Sequence, residues 1–88
     1  MARYGMETKL SPEEVIRRAE DFFGEGGVGL DTTDSSPCCA HFAGGGGHVS
    51  VNVQAGDKTE VELVTREWDH DVKRFMRNLA RFGPSWTG

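Results

Sequence analysis

From Cys38 to Leu63 the apolar residues fall on every second position. Cys38, Ala40 and Phe42 alternate with Cys39 and His41. Val49, Val51 and Val53 alternate with His48, Ser50, Asn52 and Gln54. Val61 and Leu63 alternate with Glu60, Glu62 and Val64. A period of two marks strands with one buried and one open face. Turn-forming stretches interrupt it at Asp34-Ser35-Ser36-Pro37, at the four glycines Gly44 to Gly47, and at Ala55-Gly56-Asp57-Lys58. Upstream, Val28, Leu30 and Thr32 alternate with Gly29 and Asp31. The four segments read as an antiparallel meander.

The pattern also sets the registers. A hairpin closed by Gly44 to Gly47 pairs Phe42 with Val49, Ala40 with Val51 and Cys38 with Val53. The next hairpin pairs Val53 with Val61 and Val51 with Leu63. The preceding one pairs Thr32 with Cys38, Leu30 with Ala40 and Val28 with Phe42. A slip of one residue turns the whole apolar set toward water.

Two amphipathic segments flank the meander. Ser11 is an N-cap, Pro12 the first helical residue, and Glu14 stands where a capping box needs it. Val15, Ile16, Ala19, Phe22 and Phe23 form one stripe over Pro12–Phe23, with Gly24 as the C′ residue. A second helix is predicted over Glu67–Phe82, with the stripe Trp68, Val72, Phe75, Met76, Leu79 and Phe82. Glu67, Asp69 and Asp71 at its start and Arg77 and Arg81 at its end suit the helix dipole. Thr65 and Asp69 are its two candidate N-caps, and Gly83-Pro84 stops it.

Arg3 to Lys9 places Tyr4, Met6 and Thr8 on one side, as a strand would. The order is therefore β-α-β-β-β-β-α. It predicts one two-layer α+β domain over residues 1–83. Its four- or five-stranded antiparallel sheet carries both helices on the apolar face. Residues 84–88 are expected to form a mobile tail unless Trp86 folds back onto the core.

Composition narrows the function. A chain of 88 residues buries roughly 60–65% of its unfolded surface, so the core is small. No apolar run approaches the roughly 18 residues of a membrane span, and Met1 to Met6 lacks a signal-peptide stretch. A net charge of −4 gives no general attraction to nucleic acid or anionic lipid. Cys38 and Cys39 are adjacent, and neighbours on a strand point to opposite faces, so no bridge is expected between them. Cys38 reads as a small core residue. Secreted domains of this size usually carry a disulfide framework, so the expected location is cytoplasmic.

The sequence of strand, Ser11-Pro12-Glu13-Glu14-Val15, meander and long terminal helix resembles a reduced member of the helix-grip group, which includes START and polyketide cyclase-like proteins. The same order is similar to the TATA-binding-protein-like arrangement. The helix-grip resemblance implies an apolar small molecule held between a curved sheet and the terminal helix. Helix-grip domains are usually half as long again, with more strands.

The registers set two polar rows on the open face: Asp31, Cys39, Asn52 and Glu62, then Gly29, His41, Ser50 and Val64. His48 lies one step further out, opposite Arg66. Asp31, Cys39, His41, His48, Ser50, Asn52, Glu62 and Val64 are the candidate ligand or partner surface. Thiolate with imidazole suits zinc, so any metal set is Cys39, His41 and His48. The paired-cysteine and paired-histidine spacing of dedicated sites is missing, and no metal or cofactor is expected. Residues i and i+2 on a strand lie about 6.5–7 Å apart, too far for His41 to act directly as base for a Cys39 nucleophile. An open face supplies no oxyanion hole, so no catalytic residue is expected.

The glycine tract joins two strands and lacks the Gly-Lys-Ser/Thr of a phosphate loop, so it reads as a floppy hairpin loop. Lys73, Arg74, Arg77 and Arg81 form a basic strip on the outer side of the second helix, open to solvent or an acidic partner. Nucleic acid is disfavoured on the sheet by Asp31, Glu60 and Glu62 and by the lack of stacking aromatics. The expected role is a small non-enzymatic binding or interaction domain that pairs weakly with a second copy. Pairing would use the exposed edge Val28–Thr32 or the sheet face around Val64 and His41. The alternative is a small apolar-ligand carrier of helix-grip type.

Overall fold

A computed structural model describes residues 2–81. Its elements run β1 (Ala2–Thr8), α1 (Pro12–Phe23), β2 (Asp31–Ser35), β3 (Cys39–Gly44), β4 (Gly47–Gln54), β5 (Thr59–Arg66) and α2 (Asp69–Ala80). The five strands form one antiparallel sheet in the order β1-β5-β4-β3-β2. The α+β order read from the sequence holds, and the N-terminal strand is real. It closes the sheet against β5, with Tyr4 opposite Leu63 and Met6 opposite Val61.

The central registers stand as the alternation requires. Phe42 lies opposite Val49 and Ala40 opposite Val51; Val51 lies opposite Leu63 and Val53 opposite Val61. The Val53 amide donates to the Cys38 carbonyl at 2.8 Å, which carries the ladder one residue past Cys39. Ala40, Phe42, Val49, Val51, Val61 and Leu63 are buried beneath Val15, Ile16, Ala19 and Phe23 of α1 and Val72, Phe75, Met76 and Leu79 of α2. Phe23 lies at the centre of the aromatic cluster, 5.5 Å from the Phe42 ring and 5.1 Å from Phe75. Phe22, expected in the buried stripe, is half-buried instead, 5.5 Å from Phe75 at the outer rim.

The β2 hairpin differs from its predicted form. Asp31 pairs with Ala43, Thr32 with Phe42, Asp34 with His41 and Ser35 with Ala40, with a bulge between Thr32 and Asp34. The reason lies at the end of α1. The last helical carbonyls need donors. Val28 donates to the Phe22 carbonyl at 2.8 Å and Leu30 to Phe23 at 2.9 Å. Residues 28 to 30 are therefore drawn back over the helix end, Leu30 is buried there, and the strand starts at Asp31. Gly24 is the C-cap residue in extended backbone rather than a left-handed C′.

Ser11 caps α1 by accepting from the Glu14 amide at 3.2 Å. The Glu14 carboxylate turns to Arg17 and Arg18 rather than back to the cap. The second helix is shorter than its apolar stripe. Strand β5 runs through Arg66, Glu67 takes a positive φ of 77°, and Trp68 is the N-cap residue without a side-chain cap bond. Neither candidate cap is free: Thr65 Oγ1 donates to the His48 carbonyl at 2.9 Å, and Asp69 accepts from the Tyr4 hydroxyl at 2.8 Å. The expected helix end at Phe82, its Gly83-Pro84 stop and the tail with Trp86 lie outside the described residues.

The four-glycine tract is a tight turn, not a floppy loop. Gly44 and Gly47 pair in the ladder, and only Gly45 and Gly46 turn the chain, at φ of 60° and 83°. Two positive φ values match the twist of the flanking strands in a two-residue hairpin. The turn is covered by Trp68, whose indole N–H donates to the Gly44 carbonyl at 3.0 Å.

Candidate interaction face

With both helices on one side, the other side of the sheet is open, and alternation decides what it shows. Four rows cross the strands. The first holds Asp31, Ala43, His48 and Arg66; the second Asp34, His41, Ser50, Val64 and Arg3. The third holds Cys39, Asn52, Glu62 and Gly5, and the fourth Gln54, Glu60 and Glu7. The structure thus keeps Cys39, Asn52 and Glu62 in one row, His41, Ser50 and Val64 in the next, and His48 opposite Arg66. It moves Asp31 to the His48 row and sets Asp34 beside His41 where Gly29 was expected.

The centre of the face is half-buried and carries neither carboxylates nor Lys or Arg: Cys39, His41, Ala43, His48, Ser50, Asn52 and Val64. His41 Nδ1 and Ser50 Oγ share a hydrogen bond at 2.9 Å, which holds the imidazole along its row. Charge flanks this centre: Asp31 and Arg66 in the first row, Asp34 and Arg3 at the outer strands of the second, Glu62 in the third, and Glu7 and Glu60 in the fourth. Arg66 marks one end of the strands. Glu7 and Glu60 stand directly opposite each other at the other end. Like charges so placed repel. Arg3 pairs with Glu62 at 3.6 Å. Among the described residues no ion pair engages Glu7, Glu60 or Arg66. Arg3 and Glu7 join the face through the pairing of β1 with β5, which the meander alone did not reveal.

The cysteines depart furthest from expectation. Cys38 and Cys39 are joined in a vicinal disulfide. Alternation forbids this only inside a strand, and Cys38 stands in the turn before β3. Reciprocal backbone bonds close that turn, Ser36 N–H to the Cys39 carbonyl at 2.8 Å and Cys39 N–H to the Ser36 carbonyl at 3.3 Å. Cys38 is exposed rather than part of the core, and Cys39 is half-buried. Cys39 has no free thiolate for a metal or for nucleophilic attack. Among the described residues no group of three His, Cys, Asp or Glu side chains is placed to hold a metal ion.

On the helical side the layer between sheet and α2 is filled by Leu63, Val72 and Phe75, none more than 1% exposed. A cleft of about 420 Å³ lies on the outer surface between the helices, lined by Arg18, Asp21, Phe22, Phe75, Asn78, Leu79 and Arg81. A second of about 340 Å³ is lined by Tyr4, Lys73, Met76 and Arg77. The basic strip Lys73, Arg74, Arg77 and Arg81 is exposed along α2. Part of it is engaged within the chain: Arg74 pairs with Asp71 at 3.0 Å and lies over Phe22, and Lys73 lies over the Tyr4 ring. Among the described residues no helix is long and apolar enough to cross a membrane. Compared with known proteins, the chain matches no family model, no curated protein and no solved structure.

Proposed function

We propose that this chain is a small non-enzymatic interaction domain that pairs with a second copy through the open face of its sheet. The observation that carries this reading is the charge arrangement along the strands. Glu7 and Glu60 stand opposite each other at one end and Arg66 at the other, none of them ion-paired among the described residues, with Asp31 in the Arg66 row three strands away on β2. A two-fold axis lying in the face, across the strands and between the Ser50 and Asn52 rows, exchanges these ends. Arg66 then meets the partner's Glu60, and Ser50 meets the partner's Asn52, each contact made twice, as a symmetric dimer requires. The sheet twist leaves the two strand sets roughly 30° apart.

The size of the face sets the affinity. Five strands at ~4.8 Å and four rows at ~6.8 Å give a patch of roughly 20 by 20 Å. Two such patches bury about 800–1,000 Å², below the usual range for stable complexes, so the dimer dissociates on dilution. A cytoplasmic setting goes with this reading, because no disulfide links separate elements of so small a domain.

Sedimentation over about a hundredfold concentration range tests the dimer, and charge reversal tests its geometry. Glu60→Arg and Arg66→Glu should each shift the protein to monomer, and the double variant should restore pairing. Sedimentation at the 9.7 kDa monomer value up to high micromolar concentration refutes the dimer. Pairing that ignores both single reversals refutes the sheet face.

A further inference from the structure

The vicinal disulfide lies at the base of the least supported strand. Strand β2 is exposed at every residue, is bonded to the sheet only along β3, and breaks register between Thr32 and Asp34. Its connection to β3 is the Ser36–Cys39 turn. Three backbone hydrogen bonds there use atoms of the two cysteines: both bonds between Ser36 and Cys39, and the Val53 amide bond to the Cys38 carbonyl. The Sγ–Sγ bond closes a small ring through the peptide between Cys38 and Cys39. It therefore restricts the backbone rotations that those three bonds depend on. A crosslink between sequence neighbours encloses no loop, so its effect on the unfolded chain is small and its influence is local.

We propose that Cys38–Cys39 is a redox-modifiable site, opened by a small-molecule thiol of the glutathione class, and that opening it loosens the turn holding β2. Cys38 is exposed, so a thiol can reach its sulfur. A thiolate attacks Cys38 Sγ. The bond to Cys39 Sγ breaks, the electron pair leaves with Cys39, and that sulfur takes a proton. A second thiolate attacks the small molecule's sulfur in the mixed disulfide and releases Cys38, which is protonated in turn. Two thiols become one disulfide, and two electrons and two protons pass to the protein. The oxidised small molecule reverses the sequence.

The test uses glutathione, reduced and oxidised, with intact-mass measurement after alkylation and with hydrogen exchange. Protein equilibrated with oxidised glutathione should take up no alkyl group, and with excess reduced glutathione it should take up two. On reduction the amides of Ser36, Cys39 and Val53 should exchange about tenfold faster, while those of β1 and β5 should not change. Cys38→Ser/Cys39→Ser should match the reduced pattern whether or not glutathione is present. If that variant does not fold, the reduced parent protein, checked by circular dichroism, carries the comparison. Two alkylated thiols under oxidised glutathione overturn the site. Equal exchange in both states overturns its coupling to β2.

Discussion

Replacing Phe42 by alanine tests the register and the core together. Phe42 is 1% exposed, sits opposite Val49, and meets the Phe23 ring at 5.5 Å. Phe23 in turn touches Phe22 and Phe75, so one ring joins the sheet to both helices. Removing a buried phenyl ring costs the transfer of its carbons and leaves a cavity, about 3–5 kcal/mol in all. The loss of an aromatic pair lies within that figure. A domain of this size has ~5–15 kcal/mol of stability in total, so the loss is a large fraction of it. At ~4–8 °C per kcal/mol, its melting temperature should fall by at least ~12 °C. Urea unfolding followed by far-ultraviolet circular dichroism should show a lower midpoint with an unchanged slope. A variant that melts within a few degrees of the parent refutes the placement of Phe42 and the pairing of β3 with β4.

Gly45→Ala should lower stability by at least ~1–2 kcal/mol, the cost of a left-handed backbone for a residue with a side chain. The new Cβ would also lie 2.7 Å from the Trp68 ring, so the indole must shift and its fluorescence should change; unaltered stability and emission count against the turn as described. Tyr4 is the single tyrosine, and its phenol titrates above its ordinary value. The hydrogen bond it donates to Asp69 is the main cause, with burial and the Asp69 charge acting in the same direction. This contribution to stability is fully present below the unfolded phenol pKa and is lost as pH rises through the raised folded value. Asp69→Asn should bring the ultraviolet titration of Tyr4 down, and an identical curve in both proteins refutes the contact.

Where local pattern and tertiary demand agreed, the sequence could be read directly. The strands from β3 to β5 have one wet and one dry face and short connections, so period and turn length set the pairing. Strand β2 has no such signal. Thr32, Asp34 and Ser35 are exposed, and the apolar Val28 and Leu30 that looked like a strand serve the end of α1 instead. The helix start misled for a related reason, since Trp68 matches the stripe in spacing but is held by the Gly44 carbonyl of a distant turn. Cys39, His41, Ser50, Asn52 and Val64 of the open face followed from strand alternation. Arg3 and Glu7 did not, because a first strand carries no mark of which edge it will join. The disulfide is not legible from alternation, because Cys38 precedes β3 and belongs to a turn.

The position of β1 orders events during synthesis. Its partner is β5, so Ala2–Thr8 has no sheet to join until Thr59–Arg66, much later in the chain, has been translated. An emerging chain can close the β3–β4 hairpin early, because that pairing is local. Its N-terminal segment must wait, solvated, while more than fifty further residues are added, and closing so long a span is slow compared with forming a hairpin. Met6, buried in the finished fold, stays uncovered through this interval. Elongation pauses before residue 66 should therefore leave a nascent chain that chaperones and proteases recognise, and emergence of β5 and α2 should be followed by rapid loss of that susceptibility.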